Sequence, residues 1–163
     1  MKLYHITDSS RTKKISSEGL KINQSPNPEN IVVSLESYGD QRYEVDATIS
    51  DYFKEKNLST PKGFVFFFKN PKNAKLRSSR SRLTVKLPPY LSEKCWEADK
   101  IKSDDLFDAA GQVDPLDWEW IENSREKYKN SIRPLKDYGK DNYNVTEVFC
   151  PFEIPSKYIK KIE

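Results

Sequence analysis

Two ionisable residues stand where a polar side chain is costly. His5, the only histidine, lies in the alternating run Leu3-Tyr4-His5-Ile6-Thr7, and Glu147 lies in the apolar run Val145-Thr146-Glu147-Val148-Phe149. A histidine titrates near neutrality and can donate or accept at either ring nitrogen. A carboxylate held in an apolar strand can stabilise developing positive charge or take a proton. Each also has a plain structural reading: a satisfied boundary histidine, and an edge-strand acid facing water. A nucleophile pair of His5 with Cys95 or Cys150 stays open, because spatial neighbours need not be sequence neighbours.

Other chemistries are excluded. The glycines at 19, 39, 63, 111 and 139 are isolated, so neither a phosphate loop nor a G-x-G-x-x-G turn can form. One histidine and two distant cysteines cannot build a standard zinc tetrahedron. Asp104, Asp105 and Asp108 match no calcium-loop spacing, and acids at a helix start usually serve the cap and the dipole. No metal is expected.

The elements that must position His5 and Glu147 follow from periodicity. Residues 2–7 alternate and read as a strand, with Leu3, His5 and Thr7 on one face. Ser9 or Ser10 is placed to cap a short helix carrying Ile15, which Gly19 would end. Ile31–Leu35 reads as a second strand. Val45, Ile49, Tyr52 and Phe53 recur near 3.6 and predict a helix over 43–57. Phe64–Phe68 is an apolar run and predicts a buried strand; Leu83–Leu87 alternates and predicts another. Asp104–Ala110 reads as one or two helical turns. Asp114-Pro115-Leu116-Asp117 is a helix start, running to about Tyr128. Residues 129–144, with Pro134 and Gly139, read as a long loop. Val145–Phe149 and Tyr158–Ile162 close the chain as strands. Short strands with helices scattered between them predict an α+β fold in a single domain, residues 1–163.

Composition sets outer bounds. The chain has 163 residues, enough to bury a core without a metal or disulfide staple. Mean hydropathy is -0.84, but 12% aromatic residues gathered in short runs argue for a folded chain. No stretch approaches the roughly 20 apolar residues of a membrane span, and no signal-peptide pattern opens the chain. Two cysteines without a C-x-x-C spacing predict free thiols in a reducing cytoplasm. A net charge of +3 does not by itself imply nucleic acid. Its distribution is uneven: from Lys69 to Lys86 there is no acid, whereas from Glu93 to Glu126 acids dominate. Two solvated faces that partly pair are the simplest account; an anion-facing strip is the sharper one.

The two ends of the chain resemble one family. Leu3-Tyr4-His5-Ile6-Thr7, a short helix with Ile15, and Glu18-Gly19-Leu20 resemble the opening of ADP-ribosyltransferase folds, closest to the DarT-type DNA ADP-ribosyltransferases. Thr146-Glu147-Val148-Phe149 followed by Ile154-Pro155-Ser156-Lys157-Tyr158-Ile159 is similar to that family's last strands. Together these cover about residues 1–22 and 145–163.

The resemblance implies a split, mainly antiparallel β-core with small flanking helices and NAD+ as co-substrate in the cleft between two small sheets. It implies that His5 hydrogen-bonds a ribose hydroxyl, that Thr7 helps fix the nicotinamide end, and that Ser34 lines the pocket. One of Tyr38, Tyr43 and Tyr52 would stack on the nicotinamide. Glu147 would be the catalytic acid, stabilising an oxocarbenium-like transition state as in glycosidases. The loop before it would meet the acceptor, a nucleic acid or a protein, through Arg133, Lys136, Tyr138 and Tyr143. Two departures narrow this. The family's common His-Gly pair is His5-Ile6 here. Val145 stands where arginine-modifying members carry Glu or Gln, so arginine is not the expected acceptor.

The expected function is transfer of ADP-ribose from NAD+ to a macromolecule by a cytoplasmic monomer that needs no membrane. The alternative is an inactive relative that serves as a nucleotide-binding or inhibitory interaction module. An RNA 2′-phosphotransferase, a cousin on that fold, would need several arginines and histidines around a phosphate and fits poorly with a single histidine.

Overall fold

The computed structural model describes residues 1–24, 38–111, 118–135 and 143–163. Thirteen elements follow one another among them: β1 (Lys2–Asp8), α1 (Thr12–Glu18), β2 (Asn23–Gln24), α2 (Tyr38–Glu55), β3 (Gly63–Phe68), β4 (Arg80–Lys86), α3 (Pro89–Ser92), β5 (Trp96–Asp99), α4 (Lys100–Ala110), α5 (Trp118–Lys129), β6 (Arg133–Pro134), β7 (Thr146–Cys150) and β8 (Ile159–Ile162). The strands form an antiparallel sheet in the order β6-β5-β7-β3-β1-β4-β8, with β2 beside β3. The α+β class expected from the sequence is therefore the one observed. None of the described helices is long and apolar enough to cross a membrane.

Each face of the sheet has its own apolar layer. Leu3, Val65, Phe67, Leu83, Val85, Val148 and Cys150 gather on one face with Ile15 and Leu20 from the α1 region and with Ile154. Phe64, Phe149 and Ala98 gather on the other, under Val45, Ile49 and Phe53 of α2, Leu106 of α4 and Tyr128 of α5. β3 and β7 lie at the centre and are covered on both sides, which is why β3 reads as an unbroken apolar run and β7 is buried throughout even at Thr146 and Glu147. β4 buries alternate residues only, and its sequence alternates accordingly.

Several boundaries differ from expectation for local reasons. Neither Ser9 nor Ser10 caps the helix carrying Ile15: α1 has no side-chain cap, and Asp8 caps the 3-10 turn Ser9–Arg11 before it, its Oδ1 accepting from the Ser10 amide at 2.9 Å and the Ser10 hydroxyl at 2.6 Å. α4 starts at Lys100, earlier than the Asp104 expected, because Asp99 caps it by accepting from the Ile101 amide at 3.1 Å. The stretch 129–144 is not wholly loop. Lys129 ends α5, and Arg133–Pro134 pairs with Trp96 and Glu97 as an edge strand. The expected strand Ile31–Leu35 and the helix start at Asp114-Pro115 lie outside the described residues.

The expectation of two free thiols is overturned. Cys95 and Cys150 form a disulfide with Cα atoms 4.5 Å apart. Pairing of Trp96 with Phe149 sets the next residues along, Cys95 and Cys150, directly opposite each other, a separation typical of a non-hydrogen-bonded antiparallel pair. The argument from thiols to a reducing compartment falls with it.

Gly19 ends α1 at φ +84°, ψ −172°, with its amide donating to the Ile15 carbonyl at 2.8 Å. That conformation is open essentially to glycine alone. A Cβ there would also collide with the Ile154 carbonyl oxygen, at the bridge between Leu20 and Ile154. Gly19→Ala is expected to lower stability by about 2–3 kcal/mol in a thermal or urea melt; an unchanged midpoint would mean that this junction relaxes freely.

Candidate functional site

Glu147 sits in the middle of the sheet. Its Cα partners are Phe68 on β3 and Ala98 on β5, and Phe68 in turn pairs with Tyr4 on β1. Strand alternation sends Thr146, Val148 and Cys150 to one face. Glu147 and Phe149 turn to the face covered by α2, α4 and α5. Glu147 is 3% exposed, and the Tyr128 hydroxyl donates to its Oε1 at 2.6 Å. A buried carboxylate needs such a donor, since unpaired it would cost several kcal/mol (about 3–5 when a buried partner is lost).

His5 is half-buried on β1 opposite Leu83, its ring packed edge-on against Phe67 with centroids 5.7 Å apart. Nδ1 lies 2.7 Å from the Phe66 carbonyl oxygen. A carbonyl can only accept, so Nδ1 carries the proton and Nε2 presents its lone pair in the neutral ring. Burial holds the His5 pKa below its ordinary 6.5, the Phe66 carbonyl opposes that, and Arg11 adds to the lowering. At pH 7 His5 is neutral, with Nε2 an acceptor suited to a hydroxyl.

This hydrogen bond lies where β1 and β3 pair least. β1 pairs with β4 along seven residues, from Lys2 to Asp8, whereas its only register pair with β3 is Tyr4 with Phe68. Beyond that point the His5 ring, rather than the β1 backbone, takes the Phe66 carbonyl. The sheet runs without a break from β6 to β8, and β1 meets β3 within it at Tyr4 and Phe68. His5 and Glu147 stand on strands separated by β3 alone. Their side chains do not share a face: His5 points with Leu3 and Leu83, Glu147 with Phe149.

The remaining candidates are dispersed. Thr7 is buried opposite Ser81, on the His5 face. Tyr38 opens α2. Tyr52 is a core residue whose ring meets Phe53 and Trp96 edge-on, and burial raises its pKa. Ser34, Lys136 and Tyr138 lie outside the described residues. Arg133 and Tyr143 do come together: the guanidinium lies 4.8 Å from the Tyr143 ring centroid, and the Tyr143 hydroxyl donates to the Ser131 carbonyl at 2.8 Å. Arg133 Nε also donates to Glu97 at 2.8 Å, and Lys69 Nζ lies 3.4 Å from the same carboxylate. Asp104 pairs with Lys100 one turn earlier in α4. With both sulfurs in a disulfide, the pairing of His5 with a cysteine thiolate is removed.

Sequence reasoning missed Tyr128 and Glu97. Tyr128 lies in the last turn of a helix whose buried positions include Ser124 and Tyr128, an ordinary core spacing with nothing to link it to a strand nineteen residues on. Glu97 is fully buried, yet in sequence it is one acid in an acidic stretch.

Comparison of the chain with protein-family models, curated proteins and solved structures finds no match.

Proposed function

We propose that this protein binds NAD+ and transfers its ADP-ribosyl group to a macromolecular acceptor. The observation that carries the reading is the tautomer of His5. Its Nδ1 proton is committed to the Phe66 carbonyl of the neighbouring strand, which leaves Nε2 to accept from a hydroxyl. A ribose hydroxyl is the partner that the family resemblance assigns to that acceptor. The family resemblance assigns the role of the carboxylate for the reacting ribose to Glu147, which stands one strand beyond β3, is held by Tyr128 and turns to the other face of the sheet from His5. As the nicotinamide–ribose bond breaks, positive charge builds on the ribose, and a fixed carboxylate stabilises it without reorganising. Macromolecule rather than water as the acceptor rests on the resemblance at the two ends of the chain.

A second reading is favoured by one observation. Glu147 is closed over at 3% exposure on the face opposite to His5. A relative that binds a nucleotide or a partner without turnover would have that arrangement.

Titration calorimetry with NAD+ tests binding, and incubation with labelled NAD+ plus DNA, RNA and cell lysate tests transfer. The proposal expects heat on titration and label on one macromolecular class. Binding without transfer or hydrolysis would support the second reading, and no binding would end both as nucleotide functions. His5→Ala is expected to weaken NAD+ affinity about tenfold, the worth of one hydrogen bond to a ligand. Melting curves of this variant with and without NAD+ check it. A His5 that only packs the strand would cost stability, on the order of 1–3 kcal/mol, and leave the ligand-induced shift intact.

A further inference from the structure

We infer that Tyr128 is a positioning residue for Glu147: through its hydroxyl it sets the orientation of the carboxylate in the transfer reaction. The inference rests on the reading of Glu147 above and deepens it.

Tyr128 is fully buried in the last turn of α5, and its hydroxyl reaches Glu147 Oε1 at 2.6 Å. The turn that follows it, at Ser131, ties its backbone to two other segments. The Tyr128 carbonyl accepts from the Ser131 hydroxyl at 2.7 Å and the Ser131 amide at 2.9 Å. The Ser131 Oγ accepts from the Asp99 amide at 3.2 Å, on the same strand as Ala98, the Cα partner of Glu147. The Ser131 carbonyl accepts from the Tyr143 hydroxyl at 2.8 Å, three residues before β7 begins. The turn after α5 is thus tied both to β5 and to the segment leading into β7, and these two strands also meet directly beside Glu147.

Packing alone does not call for this pair. The surroundings are apolar, with Phe64, Phe149, Leu106 and Ile132 in the same cluster, and a phenylalanine would fill the same volume. Burying a phenol and a carboxylate together costs desolvation that an apolar pair avoids. What the hydroxyl adds is direction. A donor held at Oε1 favours the one rotation of the carboxyl group that keeps this oxygen on the hydroxyl.

The test is Tyr128→Phe, alone and combined with Glu147→Gln, using NAD+ hydrolysis or transfer, NAD+ titration and thermal melts on the full chain. The expected result is a kcat lower by roughly 10- to 100-fold, the cost of misplacing a reacting group, with KM for NAD+ within about twofold. In the Glu147→Gln background, Tyr128→Phe should add no further loss, because Tyr128 acts through the carboxylate. Wild-type kcat in Tyr128→Phe would overturn the inference. So would an equal fractional loss in both backgrounds, which marks a merely structural role. A wild-type protein that turns over no NAD+ would instead overturn the reading of Glu147 on which the inference stands.

Discussion

Glu147→Gln is expected to cut NAD+ turnover by about a hundredfold or more while leaving NAD+ affinity within a few-fold. The amide keeps the shape of the side chain, and its oxygen can still accept from the Tyr128 hydroxyl, so the fold around β7 is preserved. What is lost is the negative charge, which matters only when positive charge develops on the ribose. Such a loss falls on kcat, with little effect on ground-state binding. A hundredfold corresponds to about 2.7 kcal/mol of transition-state stabilisation, in the range for removal of one preorganised group. Single-turnover rates with labelled NAD+, set beside calorimetric affinities for both proteins, make the measurement. A glutamine variant with near wild-type turnover would remove Glu147 from the chemistry.

The second large effect concerns the disulfide. It closes a sequence separation of 55 residues that contains α4, α5 and β6 and ends three residues past Glu147. Cross-linking a loop of that length stabilises a chain by about 4 kcal/mol through the unfolded state. For a domain of this size that is roughly a 10 °C difference in Tm. Both sulfur positions are buried, Cys95 at 1% and Cys150 at 0%, so reductant acts on the unfolded chain rather than on the native one. Melts should therefore be compared after full unfolding and refolding with and without dithiothreitol. Equal midpoints in the two conditions would mean that the bridge contributes nothing to stability.

The strands that hold His5 and Glu147 were legible because burial leaves a direct mark on composition. β3 is apolar throughout and β7 ends in Val148-Phe149-Cys150 because both faces are covered, and β4 alternates because one side is more open. α2 showed itself by Val45, Ile49, Tyr52 and Phe53, all of which reach the core. β5 was not legible. Glu97 and Asp99 break its apolar pattern, and Glu97 is met inside by Arg133 from β6 and by Lys69 from just past the end of β3. Its neutralisation comes from residues far away in the chain, which no local window contains.

The sequence by itself determined the class of the fold, the strands bearing the two ionisable candidates and the termination of α1 at Gly19, since each follows from local pattern or backbone sterics. Tertiary structure alone decided the pairing of Cys95 with Cys150, the tautomer of His5, the donor on Glu147, and the side of the sheet to which each candidate turns. Those depend on strand register, and register is settled by contacts between segments distant in sequence. A single pair, Trp96 with Phe149, places the two cysteines opposite each other and sets Glu147 beside Ala98, beneath the helix that brings Tyr128.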